Sequence, residues 1–215
     1  MNLRDINSAE ALSEEIRSRY YKDKKNILVL LIGGCSRTGK STLAEKLFKL
    51  LAGKKLNSII ISLDNWLVDI EKRKNNSSVK ERYDTVAIVD SIKKILAGEN
   101  IFPPIYNPET RKRINEFNNN PIKIDSGILI IEGVISLSIK ELNDISKIRV
   151  FIEISDCLRL KRLIEFYSSF KKVSRPVCKS IILSREREEI PFIKKSSENA
   201  TIIFRWGNRN NFLYQ

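Results

Sequence analysis

The sequence predicts an α/β fold: a mainly parallel sheet flanked by helices on both faces. Apolar runs at 27–32, 58–63, 128–131, 149–154 and 200–204 alternate with helical stretches, the pattern of βαβ crossovers. The first run is followed by the glycine-rich stretch GCSRTGKS, residues 34–41, and then by helical spacing. Two carboxylates, Asp64 and Glu132, close the second and third runs, at the end of a parallel sheet where ligands bind.

Strand, glycine-rich turn and helix is the context that makes G-x-x-x-x-G-K-[ST] a phosphate-binding loop. Gly34 and Gly39 let the backbone turn tightly, so that N–H groups along Cys35, Ser36, Arg37 and Thr38 face phosphate oxygens. Thr42 continues into a helix whose positive N-terminal end points the same way. Lys40 reaches the outer phosphates and the Ser41 hydroxyl offers a Mg²⁺ ligand. The expectation is a P-loop NTPase with ATP or GTP as co-substrate and Mg²⁺ as its metal.

At 215 residues the chain suits one medium domain with a core of its own. A hydrophobic fraction of 42% with 30% charged residues is that of a soluble globular protein. No apolar run approaches the roughly 20 residues that cross a bilayer. Residues 1–26 are charged and lack the apolar core of a signal peptide, so the cytoplasm is the expected compartment, with no membrane partner. Cys35, Cys157 and Cys178 form no C-x-x-C pair and read as reduced thiols. Histidine is absent, so acid–base work falls to carboxylates, lysines or tyrosines.

The net charge of +13 raises the question of nucleic acid. Basic residues are interleaved with acids, however, as in the run from Ser184 to Glu189, and a polyphosphate substrate also favours a positive cleft. A small-molecule acceptor is therefore the expected partner in preference to nucleic acid, and a homo-oligomer is compatible with the sequence.

Residues 8–16 read as a helix capped by Ser8, within an N-terminal helical extension at 1–26. Residues 27–215 read as a single domain with a small helical lid at about 159–178. Within it, residues 71–80 are polar and asparagine-rich, hence a loop, and 86–96 are helical up to Gly98. Residues 102–108 carry Pro103, Pro104 and Pro108 and are predicted to lack regular structure. Helices follow at about 156–167 and 179–189, separated by a basic, irregular stretch at 170–176.

Asp64 at a strand end could take the proton of an attacking hydroxyl or contact Mg²⁺, or else cap the next turn with Asn65. Glu132 closes an apolar strand, where a charge is costly unless paired or metal-bound, which favours a Mg²⁺ ligand. Ser41, Asp64 and Glu132 together make an oxygen-rich set for a hard cation.

These motifs, in order over most of residues 27–205, resemble the uridine kinase-like branch of P-loop kinases, which includes phosphoribulokinase and pantothenate kinase. The loop GCSRTGKS and the stretch Ser62-Leu63-Asp64-Asn65-Trp66 are similar to that family's phosphate loop and its segment bearing the catalytic Asp. Arg82-Tyr83-Asp84 resembles the segment that grips substrate ribose. The stretch from Pro104 to Arg113 resembles a family segment P-x-Y-D-x-x-T-H-x-R, and Glu132-Gly133 its Mg²⁺-holding Glu-Gly pair. The resemblance implies a nucleoside/nucleotide kinase-like fold and transfer of a γ-phosphoryl group to an acceptor hydroxyl, with uridine as the implied acceptor. It implies Asp64 as base, Asp84, Tyr106, Arg111 and Arg113 as acceptor contacts, and Lys40 with basic lid residues as the charge neutralising the migrating phosphoryl.

The departures lie on the acceptor side and in the lid. Arg111 stands where the family has histidine, and a guanidinium fork suits a carboxylate or phosphate better than a pyrimidine edge. Leu163 and Phe166 replace two lid arginines and read as apolar contacts on an amphipathic helix. Arg162, or else Lys161, Lys171, Lys172 or Arg175, is left to supply transition-state charge. Two other readings stay open: a nucleotide-binding regulatory ATPase without the nucleoside reaction, and a kinase for an anionic sugar or vitamin-like alcohol.

Overall fold

The computed structural model describes residues 4–23, 26–74, 77–114, 120–170 and 174–206. In chain order the elements are β1 (Arg4–Ile6), α1 (Ala9–Lys22), β2 (Ile27–Gly34), α2 (Lys40–Gly53), β3 (Ser58–Ser62), α3 (Thr85–Leu96), β4 (Ile105–Asn107), β5 (Lys112–Ile114), β6 (Gly127–Glu132), α4 (Lys140–Ile145), β7 (Ile148–Glu153), α5 (Asp156–Glu165), α6 (Arg175–Ser196) and β8 (Ile202–Arg205). Six strands form one sheet in the order β1-β8-β7-β2-β6-β3. Every pairing in it is parallel.

Strand β2 shows why the sheet is covered twice. Its side chains alternate, so Leu28, Leu30 and Ile32 pack with Leu43 and Leu47 of α2 and Leu12 and Ile16 of α1. Val29 and Leu31 pack on the other side with Ile88, Ile92 and Ile95 of α3 and Leu142 of α4. A third cluster, Leu163, Tyr167, Cys178 and Ile182, forms a separate core between α5 with the turn after it and α6. No helix among the described residues is long and apolar enough to cross a membrane.

Three local expectations are corrected. The segment expected as a helical extension also supplies β1, which pairs Arg4 to Ile6 with Ile202 to Phe204, while α1 buries Ala9, Leu12 and Ile16 completely. The proline-rich stretch contains β4, which pairs with β5 as an antiparallel hairpin; Pro103, Pro104 and Pro108 lie outside the three paired residues and so remove no ladder donor. Finally, α6 runs through Pro191 to Ser196. The proline removes one helical N–H, and burial of Ile193 holds the last turns against the sheet.

Candidate active site

The parallel register brings the strand ends together. Ile32 of β2 and Ser62 of β3 both lie level with Glu132 of β6, so the phosphate loop, Asp64 and Glu132 follow from one edge of the sheet. The loop begins at Gly34, with φ of 141°, where an added Cβ would meet the Ile152 carbonyl at 2.9 Å. Arg37, with φ of 66°, and Gly39, with φ of 94°, complete the turn. Positive φ at both ends is the backbone reason for glycine at 34 and 39. The Thr38 hydroxyl donates to the Cys35 carbonyl at 2.9 Å, and Lys40 Nζ donates to the same oxygen at 3.0 Å. Lys40 is buried and starts α2.

Ser41 is exposed beside this loop, and Thr42 is half-buried on the first turn of α2. Glu132 is 4% exposed. Burial pushes its carboxyl above the ordinary range, against the pull of Lys40 and of the Ser62 and Ser41 hydroxyls, while Asp64 adds to the rise. A buried carboxylate facing a hydroxyl and a second carboxylate fits a hard cation completed by phosphate and water oxygens. Glu132→Gln is expected to raise the melting temperature of the ligand-free protein by about 2–4 °C, since the neutral amide escapes the cost of a buried charge. It should also weaken Mg²⁺-dependent nucleotide binding; a melting scan and a titration with and without Mg²⁺ check both effects.

Asp64 lies in the 3₁₀ turn just after β3, exposed, and its Oδ1 accepts from the Tyr83 hydroxyl at 3.1 Å. Tyr83 loses water to its surroundings and faces the Asp64 charge, which together raise its phenol well above the usual tyrosine range. It is therefore a fixed donor to Asp64. The motif Arg82-Tyr83-Asp84 directed attention to the aspartate, and the structure adds the tyrosine.

The expected acceptor residues are only partly assembled. Asp84 caps α3 by accepting from the Ala87 N–H at 3.1 Å and lies 3.6 Å from Arg113 Nη2. Arg113 pairs across the hairpin with Tyr106 and donates to the Leu67 and Trp66 carbonyls at 3.0 and 2.9 Å. It braces the turn that carries Asp64. The Tyr106 hydroxyl accepts from Arg73 Nη2 at 2.9 Å, a contact between residues too far apart in sequence to be read there. Arg111 sits exposed at the hairpin turn with φ of 59°, its carbonyl accepting from the Ile70 N–H.

On α5, Arg162 Nη1 donates to the Arg37 carbonyl at 3.4 Å, while Lys161 faces Glu165 along the exposed side of the helix. Leu163 is buried in the small core between α5 and α6, and Phe166 carries the Arg37 guanidinium 3.5 Å above its ring. An aromatic face thus meets the phosphate loop where a lid arginine was expected. Arg159, 2% exposed, forks onto Glu186 at 2.8 and 2.5 Å and ties α5 to α6. Lys171 and Lys172 lie outside the described residues, as does the side chain of Arg175.

Residues 29–212 match the model of the Phosphoribulokinase / Uridine kinase family. The uridine kinase of Mycoplasma genitalium is 30% identical over 199 residues, covering 87% of this chain and 88% of that protein. The uridine kinase of Lactiplantibacillus plantarum is 27% identical over 150 residues, covering 67% of this chain and 69% of its own. Among solved structures, a D-glycerate 3-kinase from Cryptococcus neoformans superposes with a TM-score of 0.59 at 12% identity, covering 80% of this chain and 83% of that one. A protein from Bacillus stearothermophilus described as a possible uridine kinase gives 0.58 at 21% identity, covering 90% and 99%. At these identities the two structures attest the fold alone.

Proposed function

The chain belongs to the phosphoribulokinase/uridine kinase family, and we propose that it transfers the γ-phosphoryl group of ATP or GTP to a hydroxyl of a nucleoside such as uridine. Membership makes it a phosphotransferase acting on an alcohol; the donor nucleotide and the acceptor are the proposal. The observation that supports it is the meeting of Lys40, Glu132 and Asp64 at one sheet edge, with Asp64 held by Tyr83.

The loop N–H groups and Lys40 bind and neutralise the outer phosphates. Asp64 orients the acceptor hydroxyl and takes its proton as the oxygen attacks the γ-phosphorus and the nucleoside diphosphate leaves. Ser41, Glu132 and Asp64 would hold Mg²⁺, which when bound neutralises phosphate charge. Arg162, at the Arg37 carbonyl, brings lid charge to the loop. Tyr106 and Asp84 face the acceptor, with Arg113 keeping their two segments in register.

Arg73 favours a second reading, an anionic alcohol as acceptor. It is half-buried and donates to the Val68 carbonyl at 2.8 Å and to Tyr106, and among the described residues it pairs with no carboxylate. A guanidinium so placed suits a carboxylate or phosphate. ATP and GTP consumption against uridine, cytidine, glycerate and a pentose phosphate decides between the two. Uridine-dependent turnover is the expected result. Turnover with the anionic alcohols only would replace the nucleoside by the second reading, and hydrolysis without any acceptor dependence would leave a nucleotide-dependent switch.

A further inference from the structure

Trp206 follows the last strand and was not part of any motif, yet it touches the phosphate loop. Its Nε1 donates to the Thr38 carbonyl at 2.9 Å. A Cβ added at Gly39 would meet Nε1 at 2.9 Å and the ring carbons Cε2 and Cζ2 at 3.2 Å, so the indole lies directly on the Gly39 backbone. The ring is fixed from behind by the buried Phe204, edge to face with centroids 5.1 Å apart. The register explains the reach: Gly34 is level with Ile152, and Glu153 with Arg205, so the ends of β2, β7 and β8 lie in a row.

We infer that Trp206 is a positioning residue for the phosphate loop, its indole N–H holding the 38–39 peptide so that the Gly39 N–H is directed at a phosphate. This rests on the reading of the loop as a triphosphate cradle. The chain contains no cis peptide among the described residues, and in a planar trans peptide the C=O and N–H point in opposite directions. Capture of the Thr38 oxygen on the Trp206 side turns the Gly39 N–H away from the indole. A flipped peptide would instead set the Gly39 N–H against the indole N–H, donor against donor. Glycine has no intrinsic preference that would prevent such a flip, so the restraint comes from outside the loop. Gly39 is therefore required twice, once for its φ of 94° and once for the space the indole occupies.

Trp206 also lines a cleft of about 670 Å³ with Cys35, Thr38, Ser155 and Arg159. The test therefore separates loop positioning from stacking on a nucleotide base. Binding of ATP and of inorganic tripolyphosphate, which has no base, is measured by calorimetry for the full chain and for Trp206→Phe, together with KM for ATP and for the acceptor. Phenylalanine keeps a ring against Gly39 and loses the N–H. Both ligands are expected to weaken by the same factor, about five- to tenfold, the effect of one hydrogen bond. The ATP KM should rise with the acceptor KM unchanged. Wild-type-like binding of both ligands overturns the inference, and so does a loss confined to ATP, which would make Trp206 a base platform. Binding of neither ligand by the wild type removes the cradle reading itself and the inference with it. As the chain has two tryptophans, Trp66→Phe leaves Trp206 as the sole tryptophan, excited selectively over tyrosine, a readout independent of whether Trp206→Phe folds. Its fluorescence should change on adding tripolyphosphate, and an unchanged spectrum overturns the inference.

Discussion

Asp64→Asn is expected to lower kcat by about a thousandfold, the scale of a lost general base, with nucleotide affinity in the absence of Mg²⁺ within about twofold of wild type. Asparagine has the shape of the aspartate, and its carbonyl can still accept from the Tyr83 hydroxyl that Asp64 meets at 3.1 Å. The turn after β3 is further braced by Arg113 on the carbonyls of Trp66 and Leu67. Folding is therefore expected to survive, and what is lost is the carboxylate, both as proton acceptor and as a contact for Mg²⁺. Steady-state rates with saturating donor and acceptor, beside a nucleotide titration, provide the measurement. A kcat within tenfold of wild type would remove Asp64 from the role of base and leave it a hydrogen-bond partner of Tyr83.

Lys40→Met should cost about a hundred- to a thousandfold in kcat, and weaken nucleotide binding as well, because the charge it removes acts on the phosphates in both ground and transition states. Lys40 is 8% exposed and donates to the Cys35 carbonyl, so methionine fills a similar volume along the same path. A second effect accompanies the first. Lys40 is the foremost group pulling the Glu132 carboxyl down, so its loss leaves that buried charge more costly. The expected kinetic signature is a fall in kcat together with a rise in the nucleotide KM. A variant that changed only KM would assign Lys40 to binding alone.

The parts of the fold that were legible are those whose signal is local. The continuous apolar run of β2 and the glycines at 34 and 39 announce a strand and a phosphate turn within a dozen positions, and the carboxylates at 64 and 132 are marked by the apolar runs before them. Strand β1 escaped because Arg4-Asp5-Ile6 is short, charged and lies on an edge, where it needs no apolar pattern. The hairpin was hidden by prolines that fall just outside its paired residues. The missed site contacts join distant residues: Tyr83 to Asp64 across 19 positions, Arg73 to Tyr106 across 33, and Trp206 to Thr38 across 168. Nothing in local spacing encodes such pairs. The same limit explains Arg113, whose identity matched a substrate-binding motif while its hydrogen bonds brace a turn.

The pairing of β1 with β8 also has a bearing on how the molecule is made. Strand β1 finds its neighbour only when β8, far later in the chain, has been synthesised, and an ion pair between Asp5 and Arg205 joins the two. Until then the edge of β7 that receives β8 stays open, and β1 has nothing to pair with. Ribosome-bound chains of increasing length should therefore resist proteolysis at α2 and β2 well before they do so at residues 4–6, with the sheet completed in a single late event.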